Sequence, residues 1–503
     1  MDDRTSRVNK PTTTATAEAS SRENVHPAVQ IPAGIESYSP IDPSYAEHII
    51  PVNKRFKVFP NMVIYPKSAE EVAGIVKAVH GATPSTTKTG ASSSECPIRI
   101  VVRSGGHNYA AFSSGVEGTS EVTGKEADPV IVIDLKHFDT IEYDEQTKIA
   151  TAGSGTRLGK VSTELIKRGR ALPRSLADGV CPNVGLGGHV LHGGHGFTSR
   201  AWGLAMDRIV EMQVVLADGS IVNASDHESR HKDLFWAMRG AGPSFGIALS
   251  FKLLTLPVPP TNVHFVYEWD AVPISDAAKI LLEYQKWLPD VPSELGTGLM
   301  FCSDKNKGCV HVWFSGQYLG PLVKFQTLVN PFFAQIEQYL DFSPLKSNQQ
   351  PNPRHAGQNP TFKYNECTFE RALEYLGDGT GDSDTFYATS LSVPEGGELT
   401  ETQVKALLSY LVEDTTGAAQ EVHWFAMADN WQGMREVLIR SRTGEDADKW
   451  AYAGTANYVD VEMSREEAQR MYYGDKVPRL REIKKRYDPK NLFRYKHSIL
   501  PAE

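Results

Sequence analysis

GVCPNVGLGGHVLHGGHGFTSR, residues Gly179 to Arg200, packs one cysteine and three histidines into a glycine-dense stretch. His189, His192 and His195 fall at H-x-x-H-x-x-H spacing. Three readings are open: a metal centre, a phosphate-cradling loop, or an attachment point at Cys181. Metal fits poorly, because positions i, i+3 and i+6 drift round a helix axis and no H-E-x-x-H or carboxylate pair accompanies the imidazoles. Gly187, Gly188, Gly193, Gly194 and Gly196 also make a regular helix costly, at about 1 kcal/mol each relative to alanine. Glycines this dense imply instead that backbone passes close to a flat or charged ligand.

A second glycine turn lies upstream. Arg103-Ser-Gly-Gly-His-Asn-Tyr109 follows the β-rich run IRIVVRS. Such a turn can aim successive N–H groups at an anion. It is neither a Walker A loop nor G-x-G-x-x-G, and a plain strand-to-loop turn would account for it equally.

Composition bounds the partners. With 503 residues, 40% apolar and 22% charged, the chain has the make-up of a soluble globular protein of two or three domains. A net charge of -9 argues against a nucleic-acid or anionic-membrane partner. No 18-residue apolar run predicts a spanning helix. Cys96, Cys181, Cys302, Cys309 and Cys367 are odd in number and scattered, so no disulfide framework is predicted. The polar start, MDDRTSRVNKPTTTATAEASSREN, reads as part of a disordered leader over residues 1–45. It shows no secretory h-region, which makes the cytoplasm the default compartment.

Along the chain, NMVIYPKS reads as strand and turn, and Ser68 with Glu71 caps a helix over AEEVAGIVKAVH. PVIVIDL and KIATAGSGT read as strands, and RLGKVSTELIKRG as a helix ending at a glycine. IVEMQVVLADGSIVNAS reads as a hairpin turning at Asp218-Gly219. DLFWAMRGAG is a short helix and FGIALSFKLLTL a strand. Pro257-Val-Pro-Pro260 is a natural boundary. Beyond it VHFVYEWD, DAAKILLEYQKWL, KGCVHVWFSGQYLG, KFQTLVNPFFAQIEQYL, TFYATSLSV, TETQVKALLSYLVED and EVHWFAMAD alternate strand and helix patterns, before a helical tail.

RSGGHNYAAFS followed by GVCPNVGLGGHVLHGGHGFTSRAWGLAMDRI resembles two signatures of one family. It is the berberine-bridge-enzyme-like FAD-linked oxidases, within the vanillyl-alcohol-oxidase superfamily. VFPNMVIYPKSAEEV, DLFWAMRGAGPSFGIALSFKL and YYGDKVPRLREIKKRYDPKNLFRY resemble further segments, so the likeness runs from about Asn53 to Leu500. The resemblance implies an α+β fold in parts: a PCMH-type FAD-binding domain over 55–257, a substrate domain over 261–460 with a mostly antiparallel sheet backed by helices, and a segment over 461–503 returning to the FAD domain. It implies a monomer acting on a small-molecule substrate and O2.

Members with both S-G-G-H and C-P-x-V-G carry FAD attached twice. His107 matches the residue bonded to the flavin 8α-methyl carbon, and Cys181 the residue bonded to ring carbon C6. Arg103, Ser104, Gly105, Gly106, Asn108 and Tyr109 match the pyrophosphate loop. Gly187, Gly188, Gly242, Gly246 and Ile247 match later backbone contacts. Val184 sits where a small gatekeeper admits oxygen, which implies an oxidase releasing hydrogen peroxide. His192 and His195 depart from the family pattern.

For the substrate, Tyr458 in TANYVDVEMS matches a tyrosinate base and Asp429 in HWFAMADNWQG its aspartate partner. The resemblance implies oxidation of a sugar or oligosaccharide hemiacetal to a lactone. The alternatives are an oxidative cyclisation or alcohol oxidation in secondary metabolism, and a flavin carrier without turnover. Only 28 residues separate Asp429 from Tyr458, a shorter segment than in sugar-oxidising relatives.

Overall fold

The computed structural model describes residues 29–81, 98–115, 129–168, 174–175, 181–227, 230–304, 308–346, 353–355, 357–367, 398–413, 460–461 and 463–503. Asp429, Tyr458, TFYATSLSV, EVHWFAMAD and residues 1–28 of the expected leader lie outside the described residues. Strands are β1 Glu36–Tyr38, β2 Met62–Tyr65, β3 Arg99–Arg103, β4 Val130–Asp134, β5 Ile141–Asp144, β6 Ile149–Gly153, β7 Arg174–Ser175, β8 Ile209–Val215, β9 Ile221–Ser225, β10 Ile247–Leu254, β11 Leu256–Pro257, β12 Asn262–Pro273, β13 Leu295–Ser303, β14 Cys309–Tyr318 and β15 Thr361–Cys367. Helices are α1 Tyr45–His48, α2 Ala69–His80, α3 Leu158–Arg168, α4 Leu186–Leu191, α5 Ser199–Trp202, α6 Lys232–Ala241, α7 Ile274–Trp287, α8 Leu322–Ile336, α9 Glu401–Glu413, α10 Arg465–Tyr473 and α11 Val477–Tyr487.

Three main sheets result. The first, in order β1-β2-β4-β3, pairs β2, β4 and β3 in parallel. The runs IVV of β3 and VIVI of β4 are apolar, as a sheet covered on both faces requires. Helix α2 covers one face with Val72, Ile75, Val76 and Val79. It starts where the capping residues demand, since the Glu71 amide donates to the Ser68 hydroxyl at 3.2 Å. The second sheet, β5-β6-β10-β8-β9, is antiparallel throughout. Its β8–β9 hairpin turns at Gly219, whose φ of 77° suits the tight reversal. The third, β13-β14-β12-β15, is also antiparallel, and α7, α8 and α9 share its aromatic core around Phe265, Trp269, Phe314 and Phe332.

The boundary expected at residue 45 falls earlier. Val29, Ile31 and Ile35 pack on the first core, and β1 extends the first sheet beside β2. Their apolar side chains are partly buried there, which removes hydrophobic surface from water.

The C-terminal segment crosses back. Leu480, Ile483, Tyr487 and Ile499 join the core of the second sheet, and Leu492 and Phe493 that of the first. One ion pair locks the return. Lys484 Nζ donates to Asp488 Oδ2 at 2.6 Å, Ser244 O at 2.6 Å and Phe493 O at 2.8 Å, with both side chains fully buried. Lys484→Met leaves the Asp488 carboxylate buried without its cation. It is expected to cost about 3–5 kcal/mol, read as a lower urea midpoint at unchanged slope.

Candidate active site

Four segments meet around one cavity of about 400 Å³. They are the loop after β3, the β6–α3 turn, the opening glycine stretch and the start of β10. Backbone pairs hold them together. Gly187 N donates to Ser154 O at 3.0 Å, Leu186 N to Thr156 O at 2.8 Å, and Leu158 N to Val184 O at 2.9 Å. Ser104 Oγ donates to Ser154 O, and Ser154 Oγ to Ala248 O, both at 2.5 Å. The two glycine turns touch directly, since a methyl group on Gly105 would sit 2.2 Å from Gly185 N. Any side chain there would force them apart.

The cavity wall includes Ser104, Gly105, Gly106, His107, Asn108 and Tyr109 from the first turn. Cys181, Val184, Gly187 and Gly188 come from the second, and Gly246 and Ile247 from β10. Two expected contacts lie elsewhere. Arg103 points away, with Nε donating to Asp134 Oδ2 at 2.5 Å, Nη1 to His48 O at 2.9 Å and Nη2 to the Tyr65 hydroxyl at 3.2 Å. It alternates away from the turn along β3 and anchors the first sheet instead. Gly242 is not on the wall either, because it gives room to Leu191, whose Cδ2 would lie 2.7 Å from an added Cβ.

The glycine stretch itself differs from expectation. Residues Leu186–Leu191 form a short helix, despite Gly187 and Gly188. Tertiary packing of Leu186 and Val190 in the second core outweighs the propensity cost. The helix stops before Gly193 and Gly194, whose φ values are 112° and 82°. His189, His192 and His195 all reach the cavity wall. His192 Nδ1 lies 2.9 Å from Gly188 O. Among the described residues no three His, Cys, Asp or Glu side chains gather as a metal-binding group.

The wall also holds residues that the sequence reading missed. Ser113 lines it, and its buried hydroxyl has no hydrogen-bond partner among the described residues. Tyr472, Tyr473, Tyr495 and His497 close it from the C-terminal segment. The only sequence signal for these four was the tail's resemblance to its family. Burial, aided by the Arg157 charge, pushes His107 down to about 4. Burial likewise brings His497 down to about 4 against an opposing hydrogen bond to Met463 O, with smaller contributions from the Lys496 and Arg465 charges.

Both imidazoles therefore fold uncharged. Between about pH 6.5 and 4 the unfolded chain binds protons that the folded chain refuses, so their contribution to stability is whole above that window and is lost as pH falls through it. The urea midpoint of the flavin-free protein is expected to fall from pH 7 to pH 4.5, and less so in His497→Asn. Equal falls in both proteins would rule His497 out as a source.

A family model described as an FAD binding domain matches residues 60–225, and one described as berberine and berberine like matches residues 456–500. The first spans both glycine turns, and the second spans the segment that closes the cavity. The chain is an FAD-linked oxidoreductase that carries an FAD binding domain and a berberine-like C-terminal segment. Xylooligosaccharide oxidase of Thermothelomyces thermophilus is 28% identical to this oxidoreductase, over 90% of each chain. FAD-linked oxidoreductase dpmaF of Metarhizium anisopliae is 29% identical, over 92% of this chain and 88% of its own. In fold, glucooligosaccharide oxidase of Acremonium strictum, which carries 6-S-cysteinyl, 8α-N1-histidyl FAD, superposes with a TM-score of 0.72 at 22% identity, covering 93% of this chain and 98% of its own.

The residues present fit such a group. Among the described residues, nothing outside its own helix lies within 4 Å of where a Cβ on Gly188 would stand, so the wall leaves open space there. The buried Ser113 hydroxyl on this wall has no hydrogen-bond partner among the described residues, which suits it to a polar group of a bound molecule.

Proposed function

We propose that this enzyme oxidises a sugar or oligosaccharide at its hemiacetal carbon, using FAD bonded to both His107 and Cys181. When bound, the flavin supplies a two-electron acceptor that dioxygen can regenerate. The observation that carries the reading is the placement of His107 and Cys181 on one cavity wall, on turns in backbone contact. An uncharged imidazole and a thiol are the two side chains suited to bonding an electron-poor ring. Ser104, Gly105, Gly106, Asn108 and Tyr109 hold the pyrophosphate end, with Gly187, Gly188, Gly246 and Ile247 as backbone floor. Val184, packed on the second core beside Cys181, leaves a small apolar wall where oxygen enters. Tyr458 removes the substrate hydroxyl proton, and Asp429 orients it.

The similarity to an oligosaccharide oxidase over nine-tenths of both chains supports the sugar. Similarity to dpmaF and the short Asp429–Tyr458 segment favour a second reading, alcohol oxidation on a secondary metabolite. A peroxide assay across mono- and oligosaccharides separates them. Peroxide release with xylo-, gluco- or chito-oligomers is expected. Flavin that no sugar reduces, but a lipophilic alcohol does, would overturn the sugar reading in favour of the second.

A further inference from the structure

One charged side chain joins the two turns, and no role in the family pattern claims it. Arg157 stands between β6 and α3. Its Nη1 donates to Gly105 O at 2.6 Å and to Asn183 O at 2.8 Å. Gly105 is two residues from His107, and Asn183 is two residues from Cys181. The Arg157 backbone also forms an isolated β-bridge with Gly185, and Gly159 N donates to Pro182 O at 3.0 Å. A single guanidinium thus spans the loops that carry both nucleophiles.

We propose that Arg157 positions His107 and Cys181 for covalent flavin attachment, clamping their loops in register and holding a positive charge on the loop that carries the sulfur. The inference rests on the bicovalent reading above. A cation next to a cysteine favours the thiolate, the form that attacks. Arg157 senses both partners. The side chain is open to solvent, which screens these effects: partial desolvation lowers its hold on its own proton, Asp134 raises it, Arg103 lowers it, and an ionised Cys181 raises it. The same charge helps keep His107 neutral and able to attack through nitrogen. Among the described residues Tyr109, His189, His192 and His195 are further titratable groups on this cavity near the turns, and desolvation lowers His192 and His195.

The attachment balances as follows. The sulfur bonds ring carbon C6, the S–H and C6–H protons leave their atoms, and the C–H electron pair stays on the flavin, which ends reduced by two electrons. Dioxygen takes those electrons and two protons as hydrogen peroxide, restoring the oxidised ring. The histidine bond at the 8α carbon follows the same count, with N–H and C–H replaced by N–C.

Arg157→Gln isolates the charge, because the amide can still donate to a carbonyl. Full-length flavin-free enzyme would be mixed with FAD, and the His107 and Cys181 peptides weighed by mass spectrometry over time. Wild type is expected to gain both bonds. Arg157→Gln is expected to bind FAD but to form the Cys181 bond at least about tenfold more slowly at pH 7, recovering towards pH 9 as hydroxide does the work of the cation. Arg157→Lys, which keeps the charge, should restore most of the rate. A merely structural role would weaken FAD binding without this pH recovery or the lysine rescue. Attachment at wild-type rate in Arg157→Gln, a defect in Arg157→Lys equal to that of Arg157→Gln, or a variant that loses FAD binding with no lysine rescue overturns the role of Arg157 alone. Wild type that yields neither flavinylated peptide overturns the bicovalent reading and this inference with it.

Discussion

Converting both His107 and Cys181 to alanine is expected to release all of the flavin into the supernatant when the protein is precipitated with acid. Each single variant should keep its flavin in the pellet, held by the remaining bond. The expectation follows from the shared wall. The two turns touch at Gly105 and Gly185 and are pinned through Ser154, so one planar ring can meet both side chains. Losing one bond should also cost rate, because each replaces a flavin C–H bond with a bond to sulfur or nitrogen and makes the ring a stronger oxidant. A fall of about 30 mV in a two-electron potential shifts the equilibrium for accepting hydride about tenfold. Substrate reduction in Cys181→Ala should therefore slow more than its binding weakens. Flavin equally extractable from wild type and all three variants would show that it is never bonded to the chain.

Much of this architecture can be read in the text, and the failures have physical causes. Helix α2 was readable because Ser68 and Glu71 mark its start and its apolar residues recur at helical spacing. The β8–β9 hairpin was readable from Asp218-Gly219. Strands β13 and β15 were not. LGTGLMFCS carries glycines that weaken a strand pattern, yet Gly296 is needed because a Cβ there would lie 1.8 Å from Phe197 O. TFKYNEC is mostly exposed and polar, and only its register against β12 makes it a strand. At the site, the turns announced themselves through glycine and histidine. Arg157 did not, because an arginine before a helix is an ordinary surface residue until the fold brings Gly105 O and Asn183 O to it. Arg103 made the opposite error, since its place beside the S-G-G-H turn suggests the cavity, whereas strand alternation sends it to Asp134.

Tyr458→Phe carries the largest expected effect on turnover. Taking hydride from an alcohol carbon leaves a protonated carbonyl unless the hydroxyl proton departs with it, so a base must stand at that oxygen. A free phenol ionises near pH 10 and is a poor base at neutrality. A tyrosine can serve only if its surroundings favour the anion, or if a partner such as Asp429 orients it to pass the proton on. In the proposed role, Tyr458→Phe removes the proton-accepting oxygen and keeps the aromatic ring. The rate of flavin reduction by substrate is expected to fall about 10²- to 10⁴-fold, with flavin content and both covalent bonds unchanged. The pH profile carries the sharper information. In wild type, reduction should accelerate as pH rises through the ionisation of the base, and in Tyr458→Phe that limb should flatten. Asp429→Asn should move the limb rather than abolish it. Stopped-flow bleaching of the oxidised flavin reads all three. Reduction in Tyr458→Phe at the wild-type rate, with the same alkaline limb, would remove Tyr458 as the base and turn attention to the imidazoles that line the cavity, His195 among them.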